Sequence, residues 1–278
     1  MSVILVTGAN SGFGKEIALQ LASEGHTVIA SMRDSVKRAN IFKGISNIDV
    51  QELDVTKSSD RDEVIQYINS KYQKLDVLVN NAGFGFYGAL EDASEEEVRK
   101  QFEVNFFGAS NLIQISLPLL RESRGKIINI TSMMGYTSMP LSSVYSASKF
   151  ALEGLSIGLS YELKPFGVQV CNIQPGRHRT GFVQNINWAK KSLLDDSVYN
   201  NQNKNLTSMM EKLSKGKPIP ATNVSKQVCR VISIKNMPLQ VQVGHDSRFV
   251  YLLKKALPTK LFKFITSRLY GKVLQKEL

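Results

Sequence analysis

The stretch VILVTGANSGFGKEI, residues 3–17, decides how the rest of the chain is read. Val3–Thr7 is a short β-branched run, TGANSGFG (7–14) follows it directly, and a segment with helical spacing, Lys15–Glu24, comes next. Strand, glycine turn and helix in that order bring backbone N–H groups and a helix N-terminus against a pyrophosphate. Gly8 permits the tight turn, Gly12 lets backbone approach a phosphate, and Gly14 allows the helix to pack closely on the strand. Asn10, Ser11 and Phe13 belong to the same loop and are counted with it as cofactor-binding. The spacing G-x3-G-x-G differs from the commoner G-x-G-x-x-G. It is not a P-loop, because Ala9 and Glu16 stand where that motif needs Gly and Ser or Thr. A purely structural glycine turn is the competing reading, and the position at a first strand–helix turn favours ligand binding.

Outward from that turn, the first two-thirds of the chain alternates. Thr27–Ala30, Ile48–Leu53, Val77–Asn80, Lys126–Thr131 and Val168–Gln174 read as strands. Between them lie Ser59–Tyr72 and Glu95–Leu120 with helical spacing, the latter begun by Ser94 before three glutamates. Strands alternating with such helices imply βαβ units and a parallel sheet. VILV, VLVN and IINI are apolar without alternation, as when both sheet faces are covered. From Gly181 to Pro220 the pattern gives way to a polar, Asn- and Lys-rich stretch, read as an insertion or lid. A final helix–strand pair is expected at Asn223–Ile234 and Gln240–Gly244.

The end of the second strand bears on the cofactor. An acid there holds a free ribose 2′-hydroxyl, whereas an arginine accepts a 2′-phosphate. In TVIASMRD (27–34) Met32 is neutral and Arg33 basic, which favours NADP(H) over NAD(H); Asp34, one residue on, argues the other way.

The chain has 278 residues, two cysteines and a formal charge of +11, from 35 Lys and Arg against 24 Asp and Glu. The length suits one large domain with a substantial core. Two cysteines exclude a disulfide scaffold and are too few for a thiolate zinc site, and no metal is expected. The charge is local: the last 32 residues hold eight basic side chains and one acid, Glu277, so +7 of the +11 sits there. No apolar run reaches the roughly 18 residues of a membrane span. A cytoplasmic setting is expected, with no signal peptide or N-terminal anchor read before Val3.

Tyr-x3-Lys pairs place both side chains on one helix face. Three occur: Tyr67/Lys71, Tyr145/Lys149 and Tyr251/Lys255. Only Tyr145/Lys149 has suitable surroundings. It lies 13 residues beyond Ser132, which closes the strand KIINITS at the edge where α/β sheets bind ligands, and it opens the small-residue segment YSASKFALEGL. A tyrosine of ordinary pKa near 10 would be lowered by Lys149 and a positive nicotinamide. Tyr145 could then serve as general acid or base at a carbonyl or alcohol oxygen that Ser132 also binds. A decoy, Gly154-Leu-Ser156-Ile-Gly158, matches the serine-hydrolase elbow but lies in helical pattern.

These residues together resemble the short-chain dehydrogenases/reductases. The match runs in order over roughly residues 1–182: TGANSGFG, LDVT (53–56), NNAG (80–83), FEVN ending at Asn105, Ser132, YSASK (145–149) and PGRHRT (175–180). The resemblance implies a three-layer α/β Rossmann fold with a doubly wound, seven-stranded parallel sheet. It implies catalysis by Ser132, Tyr145 and Lys149, with Asn105 holding a water in a relay to Lys149. It places Asp54 and Val55 at the adenine, and Asn81, Ala82 and Gly83 along the cofactor. Tyr145 and Lys149 also touch the cofactor, and Pro175, Gly176 and Thr180 lie on its nicotinamide side. SGFG and a long C-terminus look like members acting on steroids and retinoids.

The expectation is therefore a single catalytic domain over 1–278, with a lid at about 181–220 and a basic C-terminal helical extension at about 247–278. It is expected to act on a small lipophilic carbonyl or alcohol, through NADP(H), as a homo-oligomer. Phe84, Phe86, Tyr87, Met133, Met139, Phe182 and Trp188 are the apolar residues expected near the cleft. A 3-oxoacyl-carrier reductase and a cofactor-sensing binding protein are the alternatives. In the extension, Leu261, Phe262, Ile265, Leu269 and Val273 fall in one helical stripe among lysines. Packing on the domain, a substrate lid or subunit contact, and a peripheral membrane helix all remain open. Nucleic acid is rejected, since the basic residues interleave with apolar ones and no reader motif is present.

Overall fold

A computed structural model gives the fold and describes residues 1–35, 39–178, 186–214 and 219–274. Seven parallel strands form the main sheet: β1 (Val3–Thr7), β2 (Thr27–Met32), β3 (Ile48–Glu52), β4 (Val77–Asn80), β6 (Lys126–Ile130), β7 (Gln169–Pro175) and β9 (Gln240–Val243). Their order is β3-β2-β1-β4-β6-β7-β9. The chain starts at β1 and winds outward in both directions, so the order reverses between β1 and β4, where Ile4 pairs with Val77 and Val6 with Val79. A crevice opens there at the C-terminal strand edge, which is where such sheets take ligands. The parallel sheet expected from the alternation is present, as is the doubly wound, seven-stranded order implied by the family resemblance, and the strand bounds agree with the sequence reading to within two residues.

Alternate strand residues feed two cores. Ile4, Val6, Val28 and Ala30 pack with Ile17, Leu21, Val224 and Val228, from the helices Gly12–Ser23 and Thr222–Ser233. Val3, Leu5, Ile29 and Leu78 point to the other face, against Val64, Ile68, Leu112 and Leu159 from Ser58–Tyr72, Gly108–Glu122 and Ser143–Glu162. Both faces being covered, the strands need no polar alternation.

Glu95–Leu120 is not the single helix its spacing suggests. An α-helix, Glu95–Phe102, begins with the capping box of Ser94 and Glu97 and passes into one π-helical turn, Glu103–Phe107, before Gly108–Glu122 continues. The extra residue in that turn buries Asn105. The polar stretch read as an insertion contains a helix, Asn200–Ser214, and a short strand, β8 (Asn187–Trp188), paired with β5 (Phe86–Tyr87). Asp92 anchors this region, accepting from Ser192 (2.8 Å) and Ser197 (2.6 Å).

One buried carboxylate ties the sheet to the helix Ser143–Glu162. Glu153 is 5% exposed. Its Oε1 accepts from Thr131 Oγ1 (2.6 Å) and Gln174 Nε2 (2.8 Å), its Oε2 from Asn172 Nδ2 (2.7 Å) and Gln240 Nε2 (3.1 Å). The ends of β6 and β7 and the start of β9 thus meet one side chain. Gly135 leaves room for it, since a Cβ there would stand 2.8 Å from Glu153 Cγ. Replacing Glu153 with Leu takes the acceptor from the buried amides of Asn172 and Gln174 and from half-buried Gln240, while Thr131 keeps Ile173 O, and should cost about 3 kcal/mol in urea unfolding. Glu153→Gln keeps one acceptor oxygen and should cost less. Wild-type stability in the Leu variant would contradict this role.

Candidate active site

The glycine loop connects β1 to the helix Gly12–Ser23. Gly8 and Gly12 take positive φ, +65° and +55°, which other residues adopt at a cost. Gly14 has no alternative, because a Cβ would lie 2.4 Å from the Gly8 carbonyl oxygen. Ser11 is the N-cap residue but makes no side-chain capping bond, and the first turn holds no acid. The positive end of the helix therefore faces the crevice without a protein carboxylate. Asn81 supports the loop from β4: its Nδ2 donates to Thr7 O (2.8 Å) and Gly8 O (3.2 Å), and Thr7 Oγ1 accepts from the N–H groups of Asn81 and Ala82 (both 2.9 Å). Asn81 thus shapes the crevice with its side chain.

At the outer end, Arg33 and Asp34 are exposed just past β2, Asp34 with φ +53°. They line a polar cleft with Glu52, Asp54, Lys57 and Asp60. Burial raises the Asp54 carboxyl, but hydrogen bonds from Thr56 and the charges of Arg33 and Lys57 outweigh it and hold the group below its usual range. Val55 is buried against Gly108, where a Cβ would approach within 2.7 Å.

At the inner end, Ser132 leaves β6 and Tyr145 enters on the helix Ser143–Glu162; their side chains share a hydrogen bond. Ser132 Oγ also accepts from Met134 N (3.0 Å). Lys149, one helical turn beyond Tyr145, is 5% exposed and donates to Ile130 O (3.0 Å). Asn105 lies beside it: its amide bridges Phe84 N and O (both 3.1 Å) and donates to Ser148 Oγ (3.2 Å). A Cβ on Gly83 would sit 3.1 Å from Asn105 Oδ1 and 3.6 Å from Lys149 Nζ, so NNAG, Asn105 and Lys149 converge. The structure brings Asn105, Ser132, Tyr145 and Lys149 into one site.

The ionisation of that site, in the chain by itself, is set by burial. Burial pushes Tyr145 up to about 12, against the opposing pull of the Ser132 hydrogen bond. Burial also pushes Lys149 down to about 8, with Glu153 opposing. Desolvation disfavours phenolate and ammonium alike. The lowering expected of Tyr145 rests on Lys149 together with a positive nicotinamide.

Tyr87 stacks on Tyr145 with ring centroids 6.0 Å apart and belongs to an apolar cluster with Leu206, Val273, Met139, Trp188 and Met210. Phe84 and Phe86 join a neighbouring cluster with Val144 and Ala189. Tyr145 therefore borders, through Tyr87, an apolar cluster drawn from the 186–214 region and the C-terminal extension. Thr180, Arg179 and Phe182 lie outside the described residues. Pro175 ends β7, and Gly176 is held tight by Asp246, whose Oδ2 accepts from Arg177 N (2.6 Å). Asp246 and Glu153 are supports the sequence reading missed, because neither lies within a recognised motif. His178 is 9% exposed, packed edge-on against Phe13 (5.5 Å), with Nε2 unpartnered. Burial holds its pKa below the usual value, against the Gly176 carbonyl and Asp246.

The decoys separate cleanly. Tyr67 and Lys71 do meet (2.9 Å), but on the surface at Asp49. Tyr251 packs edge-on against Tyr136, and Lys255 is exposed. Ser156 is buried mid-helix and donates to Leu152 O (2.6 Å), which leaves no nucleophile elbow. Among the described residues no group of three or more His, Cys, Asp or Glu is placed to hold a metal ion.

The residues fit a dinucleotide: a glycine cradle that Cβ atoms would fill, an uncapped helix N-terminus, a polar cleft outside β2 and β3, and a buried Ser–Tyr–Lys cluster inside. The family model for short chain dehydrogenases matches residues 2–191. A 3-ketodihydrosphingosine reductase from Bacteroides thetaiotaomicron is 36% identical over 271 residues, covering 97% of this chain and 98% of its own. A probable short-chain type dehydrogenase/reductase from Helicobacter pylori is 34% identical, covering 98% of this chain and 96% of its own. The solved structure of a short-chain dehydrogenase from Streptomyces avermitilis superposes with TM-score 0.81 at 29% identity, over 99% of this chain and all of that one. Sheet, crevice and relatives agree: the chain belongs to the short-chain dehydrogenases/reductases and is an oxidoreductase working with a nicotinamide cofactor.

Proposed function

We propose that the protein reduces the ketone of a lipophilic, long-chain substrate with NADPH. The observation that carries this reading is the buried Tyr145 phenol, with Ser132 beside it and Tyr87 stacked on its ring, next to the apolar cluster of Tyr87, Trp188 and Val273. The relative named 3-ketodihydrosphingosine reductase supports a ketone on an alkyl chain as the substrate class. When bound, the cofactor would supply the hydride to the carbonyl carbon. Ser132 and Tyr145 would both donate to the carbonyl oxygen, fixing it and stabilising the charge that develops there. Tyr145, kept as a neutral phenol by burial, would pass its proton to that oxygen, completing the alcohol. Lys149, cationic below about pH 8, would hold the cofactor side and favour the transient phenolate. Asn105, beside Lys149, would position a water that returns the proton.

Arg33, exposed at the end of β2 with Asp54 beside it, supports NADP(H) over NAD(H). Exposed Phe107, Ile157, Tyr161 and Phe166 support self-association into a homo-oligomer. The reduced, buried Cys171 and Cys229 suit a cytoplasmic setting.

Tyr145→Phe should lower kcat for ketone reduction by about 10²-fold or more while NADPH binding stays within a few-fold. Tyr67→Phe and Tyr251→Phe should leave kcat unchanged. Turnover retained in Tyr145→Phe, or NADPH binding with no turnover on any long-chain ketone, would overturn the reading, as would preference for a carrier-linked thioester. Arg33→Ala should weaken NADPH by about tenfold, roughly 1.4 kcal/mol, and NADH far less; equal loss for both would refute the cofactor preference. In the reductive direction kcat/KM should fall above about pH 8, as Lys149 loses its proton, while the Tyr145 phenol persists to about 12. A profile flat through pH 9.5 would contradict the assigned role of Lys149.

A further inference from the structure

The C-terminal extension has two faces, and folding explains one of them. It consists of the helices His245–Ala256 and Thr259–Leu269 and the short turn Gly271–Leu274. Its inner side is built into the domain. Ser247 is buried and bonds Tyr136, Lys254 donates to the Tyr136 carbonyl, and Phe262 and Val273 are 9% and 1% exposed. Val273 joins the cluster around Tyr87, the ring stacked on Tyr145. The single stripe expected from the sequence is therefore split: Phe262 and Val273 turn inward, while Leu261 and Leu269 stay in solvent.

The outer side is apolar as well as basic. Phe249, Leu252, Leu261, Phe264, Leu269 and Leu274 are each 45% to 66% exposed. Leu261 and Phe264 lie three residues apart on one face, with Lys260 and Arg268 one turn to either side of Phe264. The Arg268 guanidinium stands 4.8 Å from the Phe264 ring centroid. On the preceding helix Phe249, Leu252 and Lys255 repeat the arrangement at three-residue spacing. No acid occurs from residue 247 to 274, against seven Lys and Arg.

That combination selects the occupant. A second copy of the same face would set its cations, Lys260, Lys263 and Arg268 among them, against their like, and water alone leaves six large apolar side chains hydrated. An anionic bilayer meets both demands, because apolar side chains enter the boundary between headgroups and acyl chains while cations pair with lipid phosphates. We propose that residues 245–274 dock the enzyme on the surface of an anionic bilayer, with Leu261 and Phe264 inserted and Lys260, Lys263 and Arg268 at the headgroups. This deepens the proposed function and rests on it only for the substrate: Val273, at the end of the same segment, packs in the cluster around Tyr87, whose ring stacks on Tyr145, so the docked segment adjoins the site proposed to take a lipid ketone.

The test is co-sedimentation of the full chain with vesicles, read without turnover. Phosphatidylcholine vesicles containing about 30 mol% phosphatidylglycerol should bind at least tenfold more tightly than pure phosphatidylcholine, and raised salt should weaken that binding. Leu261→Ser with Phe264→Ser should lose at least tenfold in vesicle binding and still reduce a short, water-soluble ketone at the wild-type rate. Lys260→Glu with Lys263→Glu should abolish the preference for anionic lipid. Absence of binding to anionic vesicles would overturn the proposal. So would binding untouched by either double variant, or a Leu261→Ser/Phe264→Ser protein whose only change is its oligomeric state. Failure to reduce any ketone would overturn the enzymatic reading and leave the vesicle result standing.

Discussion

The arrangement turns on a carboxylate that takes no part in the chemistry. Glu153 projects from the helix that carries Tyr145 and Lys149 into the edge of the sheet, where Thr131, Asn172, Gln174 and Gln240 all donate to it. Thr131 immediately precedes Ser132, and Gln174 immediately precedes the Pro175-Gly176 turn. One side chain therefore sets the helix bearing Tyr145 and Lys149 against the strand leading to Ser132 and the strand leading to the Pro175-Gly176 turn. A buried carboxylate is tolerable only with its oxygens satisfied, so these donors and this acid require one another.

Distances at the reacting oxygen follow from that registration. Tyr145 meets Ser132 because the helix is fixed over the end of β6. Lys149 reaches Ile130 O and the Asn105–Gly83 neighbourhood from the next turn of the same helix. The negative charge one further turn along opposes the desolvation of Lys149. Burial, for its part, raises the Tyr145 pKa, which suits the proton-donating role proposed for it. Tyr87 stacks on that ring and belongs to the apolar cluster with Trp188 and Val273, so the walls proposed to hold a lipophilic chain adjoin the group proposed as the acid.

Much of this was legible in the residues. The strands could be read because a sheet covered on both faces needs continuous β-branched runs, and the glycine loop because its φ angles and close contacts admit few other residues. Tyr145 could be told from Tyr67 and Tyr251 by its distance from Ser132, a long-range relation that the strand ends made readable. Other features exist only in three dimensions. The π turn at Asn105 comes from how Glu95–Phe102 and Gly108–Glu122 meet the sheet, and a 3.6-residue pattern does not record one extra residue. Glu153 looks like an ordinary helical acid until its strand partners are known. The desolvation of Tyr145 was not legible, because a neighbouring lysine is visible in sequence and burial is not. Likewise the helical stripe of the extension showed which residues were apolar, while only the packing shows that Phe262 faces in and Leu261 out.

The central claim is hydride delivery from a nicotinamide to a carbonyl carbon at the Ser132–Tyr145 pair. The most direct measurement uses NADPH deuterated at both C4 positions with a long-chain ketone, followed by mass spectrometry and NMR of the alcohol. One deuterium on the carbinol carbon, lost together with product formation when Tyr145 is Phe, is the predicted result. An unlabelled alcohol, or equal labelled product from the Phe variant, would contradict the account.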